Sequence, residues 1–205
     1  MATPPLRVRL SHRPVRAVVW DVENRPSAYW YDGATSAEIT AFGWKWSDEP
    51  DVKTLVLGRD GRFVTGNGGT VDAEAAYLVF REVLASAELV IGHNIRRHDL
   101  GLVNAGLWRL QLPLLPELRA VTDTCCDLPK RKDMSVSLEN LAALYGLPGE
   151  KLRLAQVEWE EANRLTKPGI ELARRRVTSD VVLQEALHRK LSSLGLLPEP
   201  RRWRG

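Results

Sequence analysis

VVWDVEN, residues 18–24, sets two carboxylates one residue apart at the end of an apolar run. Strands send alternate side chains to the same face, so Asp21 and Glu23 point the same way. Two neighbouring anions repel, and taking them out of water costs more, so the pair needs a counter-charge or an exposed position. The plainest way to meet that need is a strand that runs out into a solvated loop.

The segments around this strand define the class of fold. Residues 15–20 are apolar apart from Arg16, as in a central strand, and residues 38–46 (EITAFGWKW) and 52–57 (VKTLVL) read as two more strands of an antiparallel meander. A further short strand is expected at residues 62–65, inside a glycine-rich connection. Asp72 is placed to cap a helix in which Ala76, Tyr77, Phe80, Val83 and Leu84 recur at helical spacing. AELVIG, HDLGLVNAGLW, RAVTDTCC and SVSLENLAALYGL then read as strand, helix, strand and helix, the last capped near Ser135 or Ser137. Residues 169–194 form the longest helix, with apolar positions through about seven turns. The order β-β-β-α-β-α-β-α-α belongs to a layered α/β fold.

A chain of 205 residues with 44% hydrophobic and 27% charged side chains has the composition of one soluble globular domain. Residues 14–197 carry the periodic pattern. Residues 1–13 read as a flexible N-terminal arm without a signal-peptide core, and 198–205 as a basic tail too polar and proline-rich to join the core. No apolar run approaches the roughly 20 residues that span a bilayer. Adjacent Cys125 and Cys126 suit neither a structural disulfide nor a zinc site, which points to a reducing, cytoplasmic setting. Net charge is +3, and 22 arginines stand against 7 lysines, a composition that favours bidentate contacts to phosphate.

Two more acids stand where a core-facing anion would be costly: Asp99, at the entry of a helix, and Asp180, in the middle of the longest one. If the four acids converge, divalent cations must balance them, and ligation by oxygen alone suits Mg²⁺ or Mn²⁺. Taken singly, Asp99 could be an acid favoured at a helix N-terminus, and Asp180 could pair with Arg176 one turn earlier.

In order along the chain, VVWDVEN, ELVIGHNIRRHDLGLV and RRRVTSDVVLQEALHRKL resemble the three motifs of the DEDD exonuclease superfamily. DTCCDLP and SLENLAALYGL add a likeness to the ribonuclease H-like domains of replicative polymerases and related stand-alone nucleases. The resemblance covers residues 15–191. It implies a ribonuclease H-like three-layer fold with a mixed central sheet, and 3′-to-5′ hydrolysis of phosphodiester bonds in DNA or RNA. It also implies that Asp21, Glu23, Asp99 and Asp180 hold two Mg²⁺ or Mn²⁺ ions roughly 3.5–4 Å apart, which activate the attacking water and stabilise the leaving oxygen.

By the same resemblance Asn94 lies near the terminal nucleotide, although an Asn after a strand also suits a turn. Arg25, Arg96, Arg97 and Arg176 flank the motifs as candidate phosphate contacts, with residues 130–132 (KRK) and the C-terminal RRWR as further basic clusters. Trp30, Tyr31, Trp44 and Trp46 are either stacking surfaces or core. The chain departs from the family at the third motif, where a Tyr four residues or a His five residues before the last Asp helps to activate water. Here those positions hold Arg176 and Arg175, and a guanidinium has no lone pair to accept a proton. The metal alone, or His98, must then prepare the water. Otherwise the fold serves to bind nucleic acid or a protein partner with little turnover.

Overall fold

In the computed structural model, which describes residues 15–26, 37–129, 134–148 and 151–205, Ala17–Pro26 forms the central strand β1. It pairs antiparallel with β2 (Ala37–Trp46), which pairs with β3 (Lys53–Leu57), giving the expected meander. The short strand foreseen at 62–65 is β4 (Phe63–Thr65), and β5 (Thr70–Val71) closes that edge. On its other side β1 runs parallel to β6 (Leu89–Gly92), and β6 parallel to β7 (Leu118–Asp123). The eight-stranded mixed sheet has the order β5-β4-β3-β2-β1-β6-β7-β8, where β8 is Arg201–Trp203.

The two faces of β1 read directly from its period of two. Val18, Trp20 and Val22 join the main core with α1 (Ala73–Ser86) and α2 (Asp99–Arg109), where Phe42, Phe63, Tyr77 and Phe80 form an aromatic cluster. Ala17 and Val19 face the other way, onto Val181 of the 27-residue helix α5 (Lys167–Ser193). On that same side α3 (Leu138–Leu144) packs Leu138 and Leu141 on Leu183, Leu187 and Leu191 of α5. A fifth helix, α4 (Gln156–Asn163), precedes α5. Helices on both faces of one sheet make three layers, a mixed α/β fold compatible with the ribonuclease H-like architecture.

Local signals account for most of the helix boundaries. Asp72 Oδ1 accepts from Ala75 N at 2.7 Å, and Ser137 Oγ from Asn140 N at 3.3 Å, so of the two serines Ser137 is the cap. Thr166 caps α5 and Pro168 lies in its first turn, which starts that helix before the expected Gly169. Three elements differ from the sequence reading, the first being the two-residue β5. QVEWEEAN has too little apolar periodicity to announce α4. The C-terminal residues were expected outside the core, yet β8 pairs antiparallel with β7, Trp203 packs on the core, and Glu117 binds Arg202 and Arg204 at 3.2 and 3.1 Å. An edge strand needs only one paired side and one buried side chain, so polarity around Trp203 does not bar it. Residues 1–13, Trp30, Tyr31 and 130–132 lie outside the described residues. No described helix is long and apolar enough to cross a membrane.

Gly43 determines how closely α5 approaches the sheet. It stands opposite Asp21 on β2, and a Cβ there would lie 2.7 Å from Val177 Cγ2. Gly43→Ala is expected to destabilise the fold by about 1–3 kcal/mol in urea unfolding, because α5 or Val177 must give way. Val177→Ala in the same chain should recover much of that loss by opening the space.

Candidate metal centre

Asp21 and Glu23 continue the Ala17–Val19 face beyond the apolar part of β1, so both project toward α5. Asp180 meets them from α5, and ligand oxygens of Asp21, Glu23 and Asp180 all lie within 4.8 Å of one another. Asp99 reaches the same end of the sheet by another route. The chain leaves β6 at Gly92, turns through residues 93–98, and enters α2 with Asp99 only 5% exposed. Asp99 is not one of the three clustered carboxylates, but its charge acts on both Asp21 and Glu23. The site thus lies beyond the carboxyl ends of parallel strands, where α/β sheets bind their ligands.

The carboxylates carry the electrostatic signature of crowding. Burial, then the charges of Glu23, Asp180 and Asp99, push the Asp21 carboxyl well above the usual range, while the Gln184 amide opposes them. Burial raises Glu23 to about 7 against the opposing charge of Arg176. Burial also raises Asp99 to about 6 and moves Asp180 upward despite Arg176 and Lys151. Each group therefore holds a proton more tightly folded than unfolded. Its stabilising contribution is complete below the unfolded pKa near 4 and is lost as pH rises through the folded value.

From about pH 4 up to about pH 7, where Glu23 has lost its proton in the folded state as well, these carboxyls should consequently draw thermal stability from the metal-free protein. His93, lowered to about 4 by burial, and His188, also lowered by burial, act in the opposite sense, but only below their unfolded value of 6.5. A melting-temperature series with EDTA and with Mg²⁺ checks this. The fall should appear in EDTA and flatten with Mg²⁺.

The expected Asp180–Arg176 pairing is present, and it reaches further than helical spacing required. Arg176, 8% exposed, sets two nitrogens against Asp180 at 3.1 and 3.2 Å and donates to Leu152 O at 2.6 Å. Its Nε lies 3.3 Å from Glu23 Oε1, an ion pair whose angle leaves that N–H without a hydrogen bond. The guanidinium carbon stands 5.8 Å from the ring centre of Trp159 on α4. Lys151 Nζ lies 3.6 Å from Asp180 Oδ2. Asp21 has no such partner among the described residues; its hydrogen bond comes from Gln184 Nε2 at 2.8 Å.

Lys151 and Gln184 were not singled out from the sequence as site residues. Gln184 was legible in principle, one turn beyond Asp180 on the same face of α5. Lys151 lies in an irregular segment and carried no signal.

The remaining candidates divide between support and surface. Arg25 donates to Glu38 Oε2 from two nitrogens, at 3.0 and 2.9 Å, and to Asn163 O at 2.7 Å, so it ties β1 to β2 and α4. Arg96 pairs with Asp127 at 2.6 Å and donates to Val121 O at 2.5 Å. Both guanidinium groups are thus engaged within the chain in this structure. Arg97 is exposed and has no ion pair among the described residues. Trp44 and Trp46 are core side chains, not stacking surfaces.

Asn94 takes the turn role. Its φ is 65°, a left-handed conformation Asn tolerates, and its carbonyl accepts from Arg97 N and His98 N. His98 is exposed, and its Nε2 lies 3.3 Å from Asn24 Nδ2.

Behind the site, Asp123 holds this turn in place. Its Oδ1 accepts from Asn94 N, Cys125 N and Cys126 N at 2.8, 3.0 and 3.0 Å, and Oδ2 from Arg96 N at 2.9 Å. Burial alone would raise this carboxyl, but the four backbone N–H groups outweigh it and hold it below its ordinary value. Burial raises both neighbouring thiols, Cys126 to about 11, so neither is an activated nucleophile.

The donor set fits a divalent cation. Among the described residues three carboxylates converge without nitrogen or sulfur ligands, and the Gln184 side chain, 1% exposed, is held at Asp21 with its Oε1 unpartnered. No family model and no curated protein matches the chain. Among solved structures it is similar to the family B DNA polymerase from the hyperthermophilic archaeon Pyrobaculum calidifontis, with a TM-score of 0.62 and 18% identity over 88% of this chain and 25% of the polymerase. The chain spans about a quarter of that polymerase's length, and at this identity the likeness is one of fold.

Proposed function

We propose that this chain is a divalent-metal-dependent nuclease of the DEDD type that hydrolyses phosphodiester bonds of single-stranded DNA or RNA from the 3′ end. The observation that carries this reading is the convergence of Asp21, Glu23 and Asp180 at the end of the central strand, with Asp99 close enough to raise Asp21 and Glu23. The three motifs behind the family resemblance supply these four acids in the same order, and the fold likeness to a DNA polymerase agrees with a nucleic-acid substrate.

Asp21, Glu23, Asp99 and Asp180 would hold Mg²⁺ or Mn²⁺, which when bound acidifies water and offsets the negative charge developing at phosphorus. Arg176 remains protonated, so its role toward substrate is attraction of the phosphate and never proton transfer. His98, at the mouth of the site, is the imidazole available for a proton once Asn24 releases Nε2. Arg97 offers an exposed charge for the strand backbone.

A second reading, a module that binds nucleic acid or a protein partner without turnover, draws on Arg176 lying across Glu23 and Asp180. End-labelled linear and circular single strands of DNA and RNA, incubated with Mg²⁺, Mn²⁺ or EDTA, separate the two. Progressive shortening of the linear strand in metal but not in EDTA, with the circle intact, is the expected result. Strand binding without shortening would leave the module, and cleavage of the circle would make the protein an endonuclease.

A further inference from the structure

The acids of the centre already carry part of their counter-charge as side chains of the chain itself. Arg176 lies on both Glu23 and Asp180, buried and fixed by the Leu152 carbonyl, and Lys151 lies on Asp180 from the segment that supplies that carbonyl. Glu185 is taken by Lys45 and by the solvent-exposed Arg189, both at 2.6 Å, and Asp123 and Asp127, although the charge of Asp123 reaches Asp99, are held by Arg96 and backbone N–H groups. Among the described residues, four carboxylates therefore face two cationic side chains, and the excess is two negative charges. One divalent cation neutralises that excess. Two would leave the centre positive by the same amount, with a buried guanidinium and a partly exposed ammonium against them, an arrangement of high electrostatic cost.

The position of the excess is also defined. Glu23 and Asp180 each touch a cationic group, whereas among the described residues Asp21 has the neutral amide of Gln184 and no cation, and Asp99 sits at a helix N-terminus whose dipole offsets part of its charge. On the metal-dependent reading above, we infer that the centre binds a single divalent cation, at Asp21, and that Arg176 with Lys151 takes the place of a second ion. The guanidinium spans the two carboxylates that would otherwise share that ion.

Counting Mn²⁺ decides the matter without reference to turnover. Calorimetric titration of the wild-type chain should give one ion per chain, and its electron paramagnetic resonance spectrum should be the six-line pattern of an isolated Mn²⁺. Asp21→Asn should abolish that binding. The double variant Arg176→Gln, Lys151→Gln, uncharged at both positions, should bind two ions and show the broadened spectrum of a coupled pair.

Two ions or a coupled spectrum in the wild type would overturn the inference and leave the nuclease reading intact. A count of one in a folded double variant would overturn it as well, because the side-chain charges would then not be what limits the number. If the double variant does not fold, the wild-type count stands alone as the test. No Mn²⁺ binding by the wild type would instead remove the metal-dependent reading itself.

Discussion

Asp21→Asn is expected to abolish phosphodiester hydrolysis, by on the order of 10³-fold or more, while leaving the metal-free protein as stable as the wild type or more so. The two halves of this outcome have one cause. Asp21 is raised by burial and by Glu23, Asp180 and Asp99 together, so its negative charge is opposed in the folded state and would be favoured by a bound cation. An amide keeps the shape and can accept the Gln184 hydrogen bond through its own oxygen, but it removes the repulsion and the ligand charge at once. A structural carboxylate behaves in the opposite way, because its loss strands partners and lowers stability. Melting in EDTA, together with the hydrolysis assay, distinguishes the two roles by sign. An unchanged Mn²⁺ affinity in this variant would remove Asp21 from the metal centre.

Asp123→Ala is the converse case and should destabilise the protein by about 3–4 kcal/mol in urea unfolding. Four backbone N–H groups from two loops, at the half-buried Asn94, Arg96, Cys125 and Cys126, lose their fully buried acceptor, and each unsatisfied donor costs about 1–3 kcal/mol before water or rearrangement recovers part of it. Asp123→Asn should be milder, because one oxygen still serves Asn94, Cys125 and Cys126 while its amide meets the Arg96 N–H donor to donor. The turn that Asp123 holds leads directly into Asp99. Loosening it should therefore weaken Mn²⁺ binding even though Asp123 itself touches none of the three clustered acids. An Asp123→Ala protein with wild-type unfolding midpoint would show that the loops are held by other contacts.

Local periodicity carried much of this site. Alternation along β1 places Asp21 and Glu23 on the α5 face together, and the helical repeat places Arg176, Asp180 and Gln184 on one stripe of α5. Backbone geometry imposes both relations, so residue spacing is enough to read them. The meander, the parallel strands after α1 and the caps at Asp72 and Ser137 were legible for the same reason. Asn94 as a turn former was also one of the roles its position allowed.

Counter-charge is a different kind of property, because it depends on which distant segments lie over the site. Arg25 and Arg96 read as phosphate contacts from their places in the motifs, yet Glu38 and Asn163 take one and Asp127 and Val121 the other. Lys151 reaches Asp180 only because the chain folds back over α5, and Arg176 reaches Glu23 only because Gly43 lets that helix close on the sheet. β8 joined the sheet through one half-buried tryptophan and a free edge on β7, neither of which a polar segment announces. Residue spacing alone settles which acids share a face. Tertiary packing decided which of them met a cation of the chain and which, at Asp21, did not, because burial and long-range charge pairing are set by the approach of whole elements and leave no period in the sequence.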